Sequence, residues 1–251
     1  VSCSRPGSRQ GPAPGRRLFL FAALGTLAGC TREIRIPAAA PTTGHRAPPQ
    51  RRDLQASDFA KSDIDSAAEI HLQESLASAR LLTEKLYRRN PREWRKGRYP
   101  SADAALARAF DERSEFRFAE LGNARGADAI VLALKPDYAG DRVFAFGVGL
   151  ASMVLLSYNG KTEIYLVDSL DPQKLYHSAR NIEIAAWKLA QARDAHGAPL
   201  ILSNEIADDV RNLSFEREFG KMIGYQDVMA QIAAQRTNRT IRKVAQSLAT
   251  A

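Results

Sequence analysis

Histidines near acidic residues are the side chains of this sequence that could perform acid–base chemistry, because imidazole titrates close to neutral pH. His177 follows Asp168 and Asp171 within ten residues. A histidine paired with Asp168 could act as a general base, and the chain would then be a hydrolase. Aspartates that precede a helix usually cap its N-terminus, where a carboxylate meets free backbone N–H groups. We therefore predict no catalytic residue and keep the His177–Asp168 hydrolase as the alternative.

Metal and cofactor sites are not indicated by any motif. His71 lies near Glu74. A di-iron helix bundle needs two Glu-x-x-His motifs, and the chain has no second acid–histidine pair of this kind. We therefore predict that His71 is a surface residue of a helix. Ser152 lacks the Gly-x-Ser-x-Gly context of a nucleophile elbow. The Gly147-Val148-Gly149 segment lacks the third glycine of a dinucleotide site. The sequence predicts no metal and no cofactor.

A basic segment with interleaved aromatic residues points to binding rather than catalysis. Leu86 to Pro100 reads LYRRNPREWRKGRYP and has Glu93 as its only acid. Basic and aromatic side chains together suit an anionic surface, such as lipid headgroups, lipopolysaccharide or acidic cell-wall peptides. The plainer interpretation is that these basic residues stabilise a helix C-terminus, where cations are favoured, and that Trp94 belongs to the core. The candidate binding residues are Arg88, Arg89, Arg92, Arg95, Lys96 and Arg98.

A cysteine thiol offers a third kind of chemistry. Arg16 and Arg17 precede an apolar run from Leu18 to Leu27, which ends just before Cys30. Ten helical residues span about 15 Å, half of a bilayer core of about 30 Å. The run is therefore too short to span a membrane, and it has the length of a signal-peptide apolar region. Arginines that precede such an apolar region, with no acidic residue among them, are typical of an export signal.

Leu27-Ala28-Gly29-Cys30 resembles the lipobox of bacterial lipoproteins. The resemblance implies that the Cys30 thiol receives a diacylglyceryl group and that a peptidase cleaves just before it. In lipoproteins of this kind an aspartate directly after the cysteine retains the protein at the inner membrane. This chain has Thr31 there, so the resemblance favours the outer membrane of a Gram-negative bacterium. Arg16-Arg17 also resembles the twin-arginine export motif. The remaining domain is similar to uncharacterised helical lipoproteins of Gram-negative bacteria, a likeness that implies no activity.

Net charge has to be counted by segment. The chain carries +8 overall, but residues 1–29 and 30–52 each contribute +4. Residues 53–251 hold 27 basic and 27 acidic side chains and are neutral. A nucleic-acid-binding domain is expected to be basic, so we predict no nucleic-acid partner. With Cys3 in the signal and Cys30 acylated, no thiol would remain for a disulfide.

Three segments follow from these features: a signal peptide at 1–29, a lipidated cysteine with a disordered tether at 30–52, and a helical domain at 53–251. The tether is rich in Pro, Ala, Thr and Arg and lacks apolar periodicity. About 200 residues suffice for one domain with a sizeable core.

Apolar residues at spacings of three and four predict amphipathic helices through the domain. The first runs over roughly 57–89, and Asn90-Pro91 starts the next with Asn90 as its cap. Ser101, Asp171 and Ser214 start further helices, and a short helix over 114–126 ends at Gly122 or Gly126. The predicted fold is mainly α, a single helical domain.

The segment from Val143 to Leu156 is apolar throughout, and two structures compete for it. We favour a buried central helix over 142–158, ended by Asn159-Gly160, whose Gly147, Gly149, Ala151 and Ser152 would let neighbours approach closely. The alternative is an α+β fold with a hairpin near 154–167, in which Asn159-Gly160 forms the turn. Gly220 and Gly224 on the last helix are likewise expected to pack inside the domain, with a dimer interface as the alternative.

The sequence thus predicts a lipid-anchored, periplasm-facing protein of the cell envelope with a binding or structural role. Its expected partners are the membrane, through the lipid anchor, and other envelope proteins. Besides the His177–Asp168 hydrolase, a second alternative is a component of a secretion or transport assembly. That alternative predicts an exposed apolar patch over residues 143–156.

Overall fold

Seven α-helices build the domain in a computed structural model of the chain, which describes residues 62–165, 169–206 and 211–249. These residues belong to one compact unit and are mainly α-helical, as predicted. A two-residue antiparallel ribbon pairs Glu205–Ile206 (β1) with Arg211–Asn212 (β2). Single 3-10 turns lie at Glu112–Ser114 and Ala119–Leu121. The helices are α1 (Asp63–Arg89), α2 (Pro91–Lys96), α3 (Ala102–Ala109), α4 (Gly126–Ala133), α5 (Arg142–Ser157), α6 (Pro172–Gln191) and α7 (Ser214–Ala249).

Polar side chains fix where the helices begin. Ser62 accepts a hydrogen bond from the Asp65 N–H, and the Asp65 carboxylate accepts one from the Ser62 N–H, which forms a capping box. Helix α1 therefore begins at Asp63, later than the predicted start near residue 57; residues 57–61 lie outside the described part. Ser101 caps α3 and Asp171 caps α6, both as predicted.

Asn90 starts α2 in a different way from the predicted cap. Its side chain makes no capping bond to α2. Instead its amide nitrogen donates to the carbonyls of Leu86 and Leu202, and its amide oxygen accepts from the Leu202 N–H, each at 2.8 Å. Asn90 is thus a buried link between the end of α1 and the segment before β1.

Helix α5 is the central helix that we favoured from the sequence. Its residues from Arg142 to Val154 are all buried, and α1, α2, α3, α4 and α6 pack around it. The sequence-derived alternative of an exposed apolar patch over 143–156 is therefore wrong for this segment, in which Leu156 alone is exposed. Among the described residues, no helix is both long enough and apolar enough to cross a membrane.

The end of α5 rules out the predicted alternative of a hairpin near 154–167. Residues 154–157 are helical, and Asn159 and Gly160 both adopt left-handed backbone conformations with φ of 59° and 73°. The Gly160 N–H then donates to the Leu155 carbonyl at 3.0 Å, which satisfies a carbonyl that the helix end leaves open. Asn159-Gly160 is therefore a helix stop and not the turn of a hairpin.

Two glycines of α5 allow neighbouring helices to approach closely, as predicted. A Cβ atom on Gly147 would lie 2.5 Å from Thr83 Oγ1 on α1. A Cβ atom on Gly149 would lie 2.9 Å from both the Gly126 carbonyl oxygen and the Ile130 nitrogen on α4. Neither contact leaves room for a side chain.

The equivalent prediction for α7 is wrong. Gly220 and Gly224 are exposed, and a Cβ atom on either would meet nothing within 4 Å. Their spacing of four residues places them on one side of α7, and their exposure shows that this is the outer side; the inner side carries Phe219, Met222 and Met229. The two glycines do not mediate packing within the domain.

The segment between α3 and α4 also departs from the predicted short helix. It forms the two 3-10 turns joined by an irregular loop, and Gly122 ends the second turn in a left-handed conformation. Glu115 and Phe116 adopt left-handed conformations as well, with φ of 48° and 57°. Two successive non-glycine residues in this conformation cannot belong to a right-handed helix.

Candidate functional site

The basic segment from Leu86 to Pro100 is built around a buried acid, Glu93. Its side chain is fully buried. Both carboxylate oxygens accept from the Lys96 ammonium at 2.8 and 2.9 Å, and Oε2 also accepts from the Arg142 N–H at 3.0 Å. Arg92 Nε lies 3.4 Å from Oε1. Glu93 thus fastens the short helix α2 to the first turn of the central helix.

Asp141 is a second buried acid beside Glu93. Its Oδ1 accepts from the Phe144 N–H at 2.9 Å and caps α5, while its Oδ2 accepts from the Tyr87 hydroxyl at 2.9 Å. Burial and, to a smaller extent, the negative charge of Glu93 raise the pKa of the Asp141 carboxyl to about 6, and these hydrogen bonds oppose the rise only in part. Burial also raises the pKa of Tyr87 far above its usual value, so this hydroxyl remains a donor.

Arg142 directly follows Asp141 in the chain and closes the end of α4. Its guanidinium donates to the carbonyls of Ala133, Lys135 and Pro136 at 2.7, 2.6 and 3.0 Å. These carbonyls lie at and just after the C-terminus of α4, where helix carbonyls lack intrahelical partners. The buried charges of this cluster are therefore engaged with the protein itself, and they position α2, α4 and α5 relative to one another.

The six predicted binding residues differ in their exposure and in their ion pairs. Lys96 and Arg92 flank Glu93, and Arg88 pairs with Glu84 on the same face of α1. Arg95 and Arg98 are exposed and make no ion pair with a described carboxylate. Arg89 is half-buried. Five of the six side chains reach solvent on one short stretch of the surface, which we call the basic surface (Arg88, Arg92, Arg95, Lys96 and Arg98).

The aromatic residues of the segment face inward rather than outward. Tyr87 is fully buried, and Tyr99 is half-buried with its ring 6.2 Å from that of Phe144. Trp94 is half-buried against the core, and the Arg95 guanidinium lies 5.0 Å from its ring. The aromatic rings therefore hold the segment on the domain, and the charged groups remain on its surface.

The histidine candidates are not assembled into an acid–base pair by the described residues. His177 is exposed on α6, with its ring 5.7 Å from that of Tyr176. The Asp171 carboxylate accepts from the Gln173 N–H and so serves as a helix cap. Asp168 lies outside the described residues. His71, predicted at the surface, is half-buried with its ring 5.6 Å from that of Tyr225 on α7.

The predicted lipidation site cannot be placed. The residues concerned are Arg16, Arg17, Leu27, Ala28, Gly29 and Cys30, and all of them lie outside the described part of the chain. Within that part, no group of three or more His, Cys, Asp or Glu side chains is arranged to hold a metal ion.

Sequence reasoning missed the buried acidic pair, although one signal for it exists. Glu93 is the only acid in a strongly basic segment, and such an isolated carboxylate can accept hydrogen bonds from several neighbouring donors. Asp141 stands directly before the apolar run of α5, where an N-cap is expected. That the two acids meet depends on the fold and cannot be read from either position alone.

Comparison of the chain with protein-family models, curated proteins and solved structures finds no match.

Proposed function

We propose that the chain is a lipid-anchored protein of the Gram-negative cell envelope whose helical domain binds an anionic membrane surface through the basic surface. The resemblance of Leu27-Ala28-Gly29-Cys30 to a lipobox supports the anchor. The cluster of exposed arginines on α1 and α2 supports the membrane contact.

One observation carries the membrane-binding part of the proposal. Arg95 and Arg98 are exposed without a described carboxylate partner, on a segment that is fastened to the core by Glu93. Because the Glu93–Arg142 hydrogen bond and the inward-facing rings hold this segment on the core, its arginines are presented with little further loss of conformational freedom. A basic residue near an anionic bilayer gains about 1 kcal/mol from the surface potential.

The tether would act together with this surface. Residues 30–52 carry five arginines against Glu33 alone, so they too favour anionic headgroups. The diacylglyceryl group implied for Cys30 carries two acyl chains, which suffice for stable anchoring, so the basic groups would act on the position of the domain rather than on its attachment. A lipid anchor, a basic tether and a basic surface on the domain would jointly hold the domain close to the bilayer.

Vesicle binding by residues 53–251 tests the basic surface without the anchor or the tether. Once circular dichroism shows a helical fold that melts cooperatively, the fragment is sedimented with vesicles that contain phosphatidylglycerol or phosphatidylcholine alone. We expect binding to the anionic vesicles only, reduced roughly thirtyfold by Arg95→Gln with Arg98→Gln. The matched control, Arg113→Gln with Arg217→Gln, removes the same charge from exposed positions elsewhere. Equal losses in both double variants would refute the proposed surface.

The anchor is tested separately in cells. The intact protein should incorporate labelled fatty acid, and Cys30→Ala should abolish the label and leave an unprocessed precursor. A mature N-terminus at another residue, without acylation, would refute the lipoprotein assignment but leave the vesicle result standing.

A further inference from the structure

An apolar cavity lies between α1, α5 and the loop that follows α3. It has a volume of about 210 Å³ and is open to solvent on one side. Leu76, Ala77 and Arg80 of α1 form one wall, and Leu155 of α5 forms another. The remaining lining residues are Phe110, Phe116 and Thr162. Most of the lining is hydrocarbon, so the cavity favours an apolar group over water.

A strained backbone holds one wall of this cavity in place. Phe116 is buried, its ring stands edge-on to that of Phe110 at 6.2 Å, and its backbone is left-handed, as is that of Glu115. Each such non-glycine residue costs about 1 kcal/mol or more. Ser114 Oγ accepts from the Phe116 N–H at 3.1 Å and supports the turn. Strain that the surrounding structure maintains at a cavity wall is typical of ligand sites.

Arg80 places a positive charge at the open side of the cavity. Its guanidinium lies 5.6 Å from the centre of the Phe110 ring, and its side chain is exposed. It makes no ion pair with any described side chain. A guanidinium matches the geometry of a carboxylate and can donate two parallel hydrogen bonds to it. The site therefore combines an apolar interior with a single cation at its entrance.

From this arrangement we infer that the cavity binds a small monocarboxylate with an apolar tail, the tail lying among Phe110, Phe116 and Leu155 and the carboxylate on Arg80. An apolar cavity of about 150 Å³ accommodates benzene. The present volume of about 210 Å³ therefore suits a tail of about eight carbon atoms or one substituted aromatic ring. This inference does not depend on the basic surface or on the lipid anchor.

Titration with a matched series of small amphiphiles tests the site. The full chain carrying Cys30→Ser, which cannot be acylated at that position, is studied without detergent by calorimetry. The probes are octanoate, octanol and octylamine, which share a tail and differ in head group, and 4-phenylbutyrate, which exchanges the tail for a ring. We expect saturable binding of octanoate or 4-phenylbutyrate, weaker binding of octanol, and no binding of octylamine. Equal binding of octanoate, octanol and octylamine, or preference for octylamine, would overturn the inference.

Variants locate the binding at this cavity. Arg80→Gln should weaken binding of the carboxylates about tenfold or more and leave octanol unchanged, because a charged hydrogen bond is lost. Ala77→Leu should abolish binding by filling the cavity, and since Ala77 is exposed on α1 the change removes no core contact. Arg117→Gln, an exposed arginine on the neighbouring loop, is the control and should bind as the unsubstituted chain does. Carboxylate binding that survives both Arg80→Gln and Ala77→Leu would overturn the inference.

Discussion

Gly147 of the central helix lies so close to Thr83 of α1 that a Cβ atom there would stand 2.5 Å from Thr83 Oγ1 and 2.7 Å from Thr83 Cγ2. Thr83 cannot easily turn aside, because it is fully buried and its hydroxyl donates to the Ala79 carbonyl at 2.8 Å. The separation of the two helices is therefore set by the absence of a side chain at Gly147.

Gly147→Ala should destabilise the domain by about 1–2 kcal/mol, since the overpacking cost exceeds the gain in helix propensity. Urea unfolding, followed by circular dichroism, measures the change. Adding Thr83→Ala removes both of the closest atoms, so the double variant should lose less than the sum of the two single changes. Additive losses would show that the two residues do not limit each other.

Gly149→Ala should be more damaging, by about 3 kcal/mol or more, because the new Cβ would meet the Ile130 side chain at 2.6 Å and also two backbone atoms of α4, the Gly126 oxygen and the Ile130 nitrogen, at 2.9 Å. The side chain could turn aside, but the two backbone atoms could not. Gly220→Ala provides the matched control. That glycine is exposed on α7 with nothing within 4 Å, so the substitution should stabilise the domain by up to about 1 kcal/mol. A comparable loss at both positions would show that Gly220 is packed as closely as Gly149 and would contradict its exposure on α7.

These glycines show how far the sequence predicts the fold. Capping residues such as Ser101 and Asp171, and the length of the apolar run, were enough to predict α3, α6 and the central position of α5, but the helix predicted over 114–126 is absent. Spacing alone could not distinguish the buried pair of small residues, Gly147 and Ala151, from the exposed pair on α7. Both pairs have the same local pattern, and only the approach of another helix separates them.

The candidate sites were predictable to a different extent. The basic segment is a composition signal and could be seen directly, but the inward direction of the Tyr99 ring follows from its packing against Phe144. The cavity could not be predicted, since it joins α1, α5 and a loop that are distant in sequence. Its wall also depends on Phe116 in a conformation that sequence rules reserve for glycine and asparagine.

Asp141 should make the domain less stable as the pH rises. Its pKa is raised from 3.8 to about 6 in the folded protein, so the folded state binds the proton more tightly than the unfolded chain does. Its stabilising contribution is complete below about pH 4 and is lost as the pH rises through about 6. The loss amounts to about 3 kcal/mol.

Asp141→Asn keeps an oxygen that can accept from the Phe144 N–H but cannot ionise. The variant should therefore lack this decline, and its free energy of unfolding should improve relative to the unsubstituted chain between pH 4 and pH 7. Urea titrations at a series of pH values provide the measurement. Parallel curves for the two proteins would contradict a raised pKa at this carboxyl.

Asp65 should produce the opposite dependence, because Arg236 of α7 pairs with it at 2.7 Å across 171 residues of sequence. Burial alone would raise the pKa of Asp65, but hydrogen bonds from Ser62 and the charge of Arg236 outweigh it and hold the pKa below 3.8. This stabilisation is present above about pH 4 and is lost as the pH falls through the lowered pKa. Arg236→Gln should thus cost about 1–3 kcal/mol at pH 7 and progressively less below pH 4. Thermal unfolding at pH 7 and below pH 4 measures the effect, and Arg217→Gln, an exposed position on the same helix, is the control. If the loss from Arg236→Gln is the same at both pH values, its contribution is packing of the side chain rather than the charge pair that joins α1 to α7.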